Sequence, residues 1–296
     1  MIFRKKKTIV THSGRFHADD LFATAMLMEY LDGKADVIRT VDPKLIEKAD
    51  YVLDIGRIYD PAKNRFDHHQ GGVGGRQNGV LYASAGLVWK HFGEKISGSE
   101  RAFDIIDKKL VAQIDVTDVG QAYPKAIIED IYPYLLDNMA GAFSNTWKEE
   151  GRNETEGFMF LLPFARGIIK REIVRAKGKI EAEIAMNNFY DKAEDKRFLV
   201  VDKPYPVDSL EDKKEVLFIV SPELRSKGWC VRTIRRKQDG YENRKDLPKA
   251  WAGKSNADMA KASGVSDATF CHLGLFLAVA KSKEGAITLA KKAIEA

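Results

Sequence analysis

The sequence predicts an α/β protein, with a parallel-sheet domain first and a smaller α+β domain after it. Three observations carry this reading. Short apolar runs alternate with helical ones over the first 120 residues, the pattern of a parallel sheet flanked by helices. A long helical stretch follows. Beyond it the sequence returns to strand-like runs and ends on a helix.

Thr8-Ile9-Val10-Thr11 opens the first half as a strand, and Leu21 to Tyr30, rich in Ala, Leu and Met, follows as a helix. Val37-Ile38 reads as a strand, Lys44 to Lys48 as a short helix and Tyr51 to Ile55 as a third strand. Arg65-Phe66-Asp67 is the fourth strand, and Ser84 to Phe92 the helix after it. From Glu154 to Asp195 the pattern is helical, with interruptions predicted at Pro163, Gly167 and Gly178. Phe198 to Val201, Val216 to Val220 and Trp229 to Ile234 then read as strands, and Ala286 to Ala296 as the closing helix. The organisation is therefore 1–150, a connector at 151–195, and 196–296.

With 44% hydrophobic and 31% charged residues, the 296-residue chain has the composition of a soluble globular protein. No stretch approaches the ~18 uncharged apolar residues of a membrane helix, and the start has no secretory pattern. Arg4-Lys5-Lys6-Lys7 reads as a solvated entry to the first strand. Cys230 and Cys271 show no CxxC spacing, which points to a reducing cytoplasm and away from a thiolate metal site. The charge is uneven. Residues 1–150 hold 20 Lys+Arg against 22 Asp+Glu, and residues 151–296 hold 28 against 21. Within 221–254 ten basic residues face four acidic ones, interleaved with Trp229, Tyr241 and Trp251. That mixture suits single-stranded nucleic acid, although an ordinary solvated surface has the same composition.

The chemistry concentrates early. His12, His17, His68 and His69 fall within the first 69 residues, with Asp19, Asp20, Asp54, Asp60 and Asp67. A lone histidine is more often a satisfied imidazole than a ligand, but each of these groups lies at a predicted strand end. That is where parallel sheets bind ligands. Imidazole and carboxylate together suit Mn²⁺, Fe²⁺, Co²⁺ or Zn²⁺. Two cations about 3.5–4 Å apart need a shared carboxylate, and Asp54 on a buried strand is placed to supply it.

These residues carry a resemblance. Thr11-His12-Ser13-Gly14-Arg15-Phe16-His17-Ala18-Asp19-Asp20, Val52-Leu53-Asp54-Ile55-Gly56, Tyr59-Asp60-Pro61 and Arg65-Phe66-Asp67-His68-His69-Gln70 resemble the melanocyte-proliferating-gene (MYG) family. So do Tyr82 to Trp89, Ile114 to Gly120, Leu247 to Gly253 and Phe270-Cys271-His272, nearly the whole chain. The family is one of DHH-type metal-dependent phosphoesterases, alongside family-II pyrophosphatases and RecJ-type exonucleases. The resemblance implies a DHH domain at 1–150 and a substrate domain at 196–296, with the cleft between them as active site. It implies two divalent cations, Mn²⁺ first and Mg²⁺, Fe²⁺, Co²⁺ or Zn²⁺ as alternatives. His12, His17 and Asp54 would hold one. Asp19, Asp54, His68 and either Asp118 or Asp115 would hold the other, Asp118 being preferred. Whether Asp20 or His17 completes the first set stays open. Asp67 would orient an imidazole and His69 would face the scissile phosphate. Arg244 and His272 would meet substrate. Lys281 would supply charge where the superfamily's glycine-rich motif is missing. The implied activity is 3′→5′ exonuclease action on single-stranded RNA or a short oligonucleotide, through a metal-bridged hydroxide. The rivals are a hydrolase of pyrophosphate or a short dinucleotide, and a nucleic-acid-binding module without catalysis. The sequence leaves the oligomeric state open.

Overall fold

The computed structural model describes residues 6–122, 124–149, 151–224, 227–237 and 240–296; Arg4, Lys5 and Arg225 lie outside them. The chain divides into two compact units, Met1–Lys177 and Gly178–Ala296.

In the first unit β1 (Lys7–Thr11) leads to α1 (Ala18–Tyr30), β2 (Ala35–Arg39), α2 (Pro43–Lys48) and β3 (Tyr51–Leu53). Then come β4 (Tyr59–Asp60), β5 (Arg65–Phe66) and α3 (Ser84–Ser97). The strand order is β2-β1-β3-β5-β4. All neighbours are parallel except β4, which runs antiparallel to β5. This two-residue edge strand, absent from the sequence reading, turns back through Pro61–Lys63 and Asn64 in the left-handed region. Val10, Val52 and Ile38 pack against Ile46 of α2 and Ala49 on one face. The alternate side chains, Ile9 and Leu53, leave the other face to α1 and α3. Sandwiched between sheet and α3, α1 buries every residue from Ala18 to Met28. Asp42 caps α2 by accepting from Lys44 N at 2.9 Å, with Pro43 in the first helical position.

Beyond Gly98, whose φ of +89° ends α3, the chain forms α4 (Glu100–Ile106) and a π-helical segment, Asp107–Val111, that runs into α5 (Ala112–Asp118). Asp115 and Asp118, three apart on α5, meet different partners: Asp115 meets Arg76 and Gly86, and Asp118 meets His68. After α6 (Leu136–Ala142) comes α7 (Glu154–Lys192), one continuous helix of 39 residues. The predicted interruptions are absent: Pro163 lies inside α7, and Gly167 and Gly178 stand in open space. A helix-interior proline costs ~3 kcal/mol. Burial of Phe158, Leu161, Leu162, Ala165 and Ile169 around it offsets that.

The second unit has β6 (Phe198–Val200), β7 (Phe218–Glu223), β8 (Gly228–Thr233), α8 (Asn256–Ser263), β9 (Ala268–Cys271), β10 (Leu277–Ala280) and α9 (Lys283–Glu295). Its sheet order is β6-β7-β8-β10-β9, parallel only between β6 and β7. Trp251 is buried in its core with Leu247, Met259 and Leu289, and Trp229 packs on the same cluster from its edge with Lys283 over the ring. Both tryptophans therefore pack against the core. The Leu277–Ala280 segment is a strand paired on both sides, with β8 and β9.

Candidate metal centre

Asp60 lies in the antiparallel edge strand β4 and accepts from Ala62 N at 3.1 Å, outside the donor sets; the other early histidines and aspartates named above lie near the ends of the parallel strands. His12 follows β1, and its Nε2 lies 3.4 Å from both Asp20 Oδ2 and Asp54 Oδ2. His17 precedes α1, and its amide donates to Asp20 Oδ1 at 2.8 Å. Asp54, directly after β3, takes a φ of +53° that turns its carboxylate out of the strand line. Its two oxygens diverge: Oδ2 meets His12, while Oδ1 lies 3.3 Å from His68 Nε2. His68 Nε2 is also 3.2 Å from Asp118 Oδ2.

The donor atoms form three overlapping sets. His12, His17, Asp20 and Asp54 make one; Asp54, His68 and His69 another; Asp19, His68 and Asp118 the third. Asp20, left open against His17, thus lies beside it in one set. Asp115 lies in none of them. Its carboxylate accepts from Gly86 N at 2.9 Å and from Arg76 at 2.6 Å, the same guanidinium forking onto Asp107. A Cβ at position 86 would collide with the Asp115 carboxylate, so the Ser84-Ala85-Gly86 order follows from this contact. Arg76 had no part in the sequence reading, since its partners are 31 and 39 residues away.

Asp19 accepts from Ser84 N at 3.1 Å and from Ala85 N at 2.6 Å, so the first turn of α3 grips it. Asp67 is also fully engaged: Oδ2 takes Arg57 N at 2.6 Å, and Oδ1 takes His69 N and His69 Nδ1 at 3.0 and 2.7 Å. That fixes the His69 ring through Nδ1 and leaves Nε2 free on a half-exposed side chain.

Four carboxylates meet here with almost no access to water: Asp19 and Asp20 are fully buried, Asp54 nearly so, and Asp118 close to it. Burying like charges together is costly without a cation. The ionisation reflects this. Burial raises Asp19 well above the usual carboxylate range, with Asp118 adding to it. Burial also lifts Asp20 to about 7 against the pull of His12. Burial alone would raise Asp54, but His12 and His68 reverse it and hold that carboxyl well below the ordinary range. Burial opposes charge on His68, yet Asp118 and Asp54 outweigh it and lift the imidazole to about 11. His12 rises to about 8 by the same contest. The cluster demands positive charge, and a divalent cation supplies it with both imidazoles neutral. Asp20 Oδ2 and His68 Nε2 are buried without a hydrogen-bond partner among the described residues. A nitrogen and an oxygen so placed among other N and O donors fit a first-row cation.

The residues expected to meet substrate lie in the second unit. Arg244 donates to the carbonyls of Lys213, Val216, Leu210 and Glu211 at 2.6 to 3.0 Å, so most of its guanidinium is committed to backbone. It also lines a cavity of about 710 Å³ with Arg232, Arg235, Arg236, Lys237 and Tyr241. His272 accepts from Gly274 N through Nδ1 at 2.9 Å and rests on Phe276. Lys281 is exposed, one residue before the Ser282 cap of α9.

A parallel sheet with a buried His/Asp cluster at its carboxyl edge defines the class: an α/β protein with a candidate divalent-metal centre. The family model MYG1_exonuc, described as an uncharacterised protein family (UPF0160), matches residues 8–294, and the chain belongs to that family. The MYG1 protein of Caenorhabditis elegans is 28% identical over 322 residues, which cover 97% of this chain and 95% of its own. The MYG1 protein of Chlamydia muridarum is 29% identical over 293 residues, 94% of this chain and 93% of its own. The human relative, named MYG1 exonuclease, is 24% identical over 327 residues, 96% and 84% of the two chains. Among solved structures, RecJ from Thermus thermophilus in complex with Mn²⁺ gives a TM-score of 0.25 at 15% identity. That match covers 99% of this chain and 53% of the RecJ chain.

Proposed function

We propose that the chain is a 3′→5′ exonuclease acting on RNA, using two divalent cations of which Mn²⁺ is the native one. The observation that supports it most is Asp54, whose two oxygens point to different histidines, His12 and His68, as a carboxylate shared by two cations would. His12, His17 and Asp20 would complete one site with Asp54; Asp19, His68 and Asp118 would complete the other. Bound there, the cations would supply Lewis acidity and lower the pKa of water toward ~7.

The protein's own residues do the remaining work. Asp67 holds His69 through Nδ1 and presents Nε2 to the reacting phosphate, where it donates a proton to the departing oxygen. Asp19, gripped by α3, resists displacement when substrate enters. The basic excess of the second half supplies sequence-independent attraction to phosphates. The name of the human relative agrees with exonuclease action. Cys230 and Cys271, both buried and unpaired, agree with a cytoplasmic location, and no helix among the described residues is long and apolar enough to cross a membrane.

The test is a panel with Mn²⁺: linear RNA, circular RNA of the same sequence, a strand blocked at its 3′ end, linear DNA, dinucleotides and pyrophosphate. Degradation of the open linear RNA, with circle and blocked strand intact, is expected. Cleavage of the circle shows endonuclease action. Turnover of dinucleotides or pyrophosphate alone assigns a small-phosphate hydrolase instead.

A further inference from the structure

Directly after His68-His69-Gln70 the chain reads Gly71-Gly72-Val73-Gly74-Gly75-Arg76. Four glycines in five residues need a reason. Gly75 has one in packing: a Cβ there would press on the Val80 carbonyl at 2.8 Å. The others have none, for a Cβ at Gly71, Gly72 or Gly74 would meet nothing within 4 Å. What these three share is backbone geometry, with φ of +72°, +71° and +85°. Across Gly72-Val73-Gly74 the sign of φ alternates, with Val73 outside the left-handed region, and such alternation turns neighbouring N–H groups toward one side, the arrangement that holds anions. Gly71 N is used by the His68 carbonyl at 3.0 Å. Among the described residues no hydrogen bond engages the N–H of Gly72, Val73 or Gly74.

The loop is also held. At its start Gln70 donates to the Asp67 carbonyl at 2.7 Å. At its end Arg76 is fixed by Asp107 and Asp115, and the Tyr82 and Arg76 amides pair with the carbonyls of Gly74 and Val80. Gly72 follows the donor His68 by four residues, so it lies within ~14 Å of it even if extended. A loop held at both ends, with open amides, therefore lies within ~14 Å of His68 at Gly72.

We propose that the 71–75 loop is a phosphate cradle. The N–H groups of Gly72, Val73 and Gly74 hold the backbone phosphate next to the one being hydrolysed, so the enzyme favours a strand over a substrate with a single phosphate. This rests on the phosphodiesterase reading above. Glycine serves because a side chain would fill the space through which the phosphate approaches.

The experiment has two arms. The Mg²⁺-loaded, ¹⁵N-labelled full chain is titrated with inorganic phosphate. The amide signals of Gly72, Val73 and Gly74 shift saturably in wild type and fail to do so in Gly72→Asp. Shifts confined to His68 and His69 place phosphate at the metal centre only and overturn the cradle. In the second arm, kcat/KM is compared for a hexanucleotide and a dinucleoside monophosphate. Gly72→Asp lowers the hexamer-to-dimer ratio by about tenfold, and Gly72→Asn lowers it less. Asn and Asp both tolerate the left-handed region, so both variants keep the turn. If the loop matters only as a turn, both keep the wild-type ratio and the proposal falls. If wild type hydrolyses neither nucleotide, the phosphodiesterase reading fails, and the amide shifts still decide whether the loop binds phosphate.

Discussion

Asp54 combines a left-handed backbone with a carboxylate shared between His12 and His68. Asn is one of the few residues that hold such a φ with little strain. Asp54→Asn should therefore fold normally while removing the negative charge common to both donor sets. Metal analysis after Mn²⁺ loading should fall from about two ions per chain to one or fewer, as expected of a two-metal site losing its bridge. Two full equivalents in the variant would show that Asp54 is not the bridge. His69 poses a different question, because Asp67 fixes its ring and its outer nitrogen faces solvent. His69→Ala should lower kcat by about 10²–10⁴ with little change in KM, the signature of a proton donor used in the transition state. A rise in KM at constant kcat would make it a binding residue instead.

Arg244 gives the element scale its clearest case. Its four bonds to the carbonyls of residues 210–216 tie the loop before β7 to the segment after β8. Arg244→Lys keeps the charge but not the planar fork. Both Arg244→Lys and Arg244→Ala should lower the second unit's stability by at least ~2 kcal/mol, read by urea denaturation. A Lys variant as stable as wild type would mean that charge toward substrate is the main role. The same scale shows what sequence could deliver. Apolar runs such as Thr8 to Thr11 and Tyr51 to Ile55 announced the parallel strands, because strands buried on both faces need continuous hydrophobicity. The His and Asp residues of the centre were legible because they follow those runs. Other features were not. β4 has two residues and takes its partner from tertiary pairing. β9 and β10 flank the His272-Leu273-Gly274 turn and are too short to show a period. Pro163 argued for a break that buried neighbours on α7 override. Asp115 and Asp118 share one helical turn, and only their tertiary partners, Arg76 for one and His68 for the other, tell them apart.

At the scale of the whole molecule, the first three amides of α3 are taken by carboxylates from distant parts of the chain. Ser84 and Ala85 donate to Asp19, 65 and 66 residues away, and Gly86 donates to Asp115, 29 residues away. The first two of these amides, where a helix is normally most frayed, here depend on Asp19, a carboxylate of the metal centre. Their hydrogen–deuterium exchange is thus a gauge of that centre, readable without substrate or turnover. With Mn²⁺ bound, opening at Ser84 and Ala85 should cost nearly the free energy of global unfolding, as in a cooperative core. Chelation should speed their exchange before it affects Ile9 or Val10 in β1. Asp19→Asn should do the same at Ser84 and Ala85 while leaving Gly86, which answers to Asp115, the slowest of the three. Uniform acceleration across β1 and α3 alike would instead mean that the centre and the sheet open as one body.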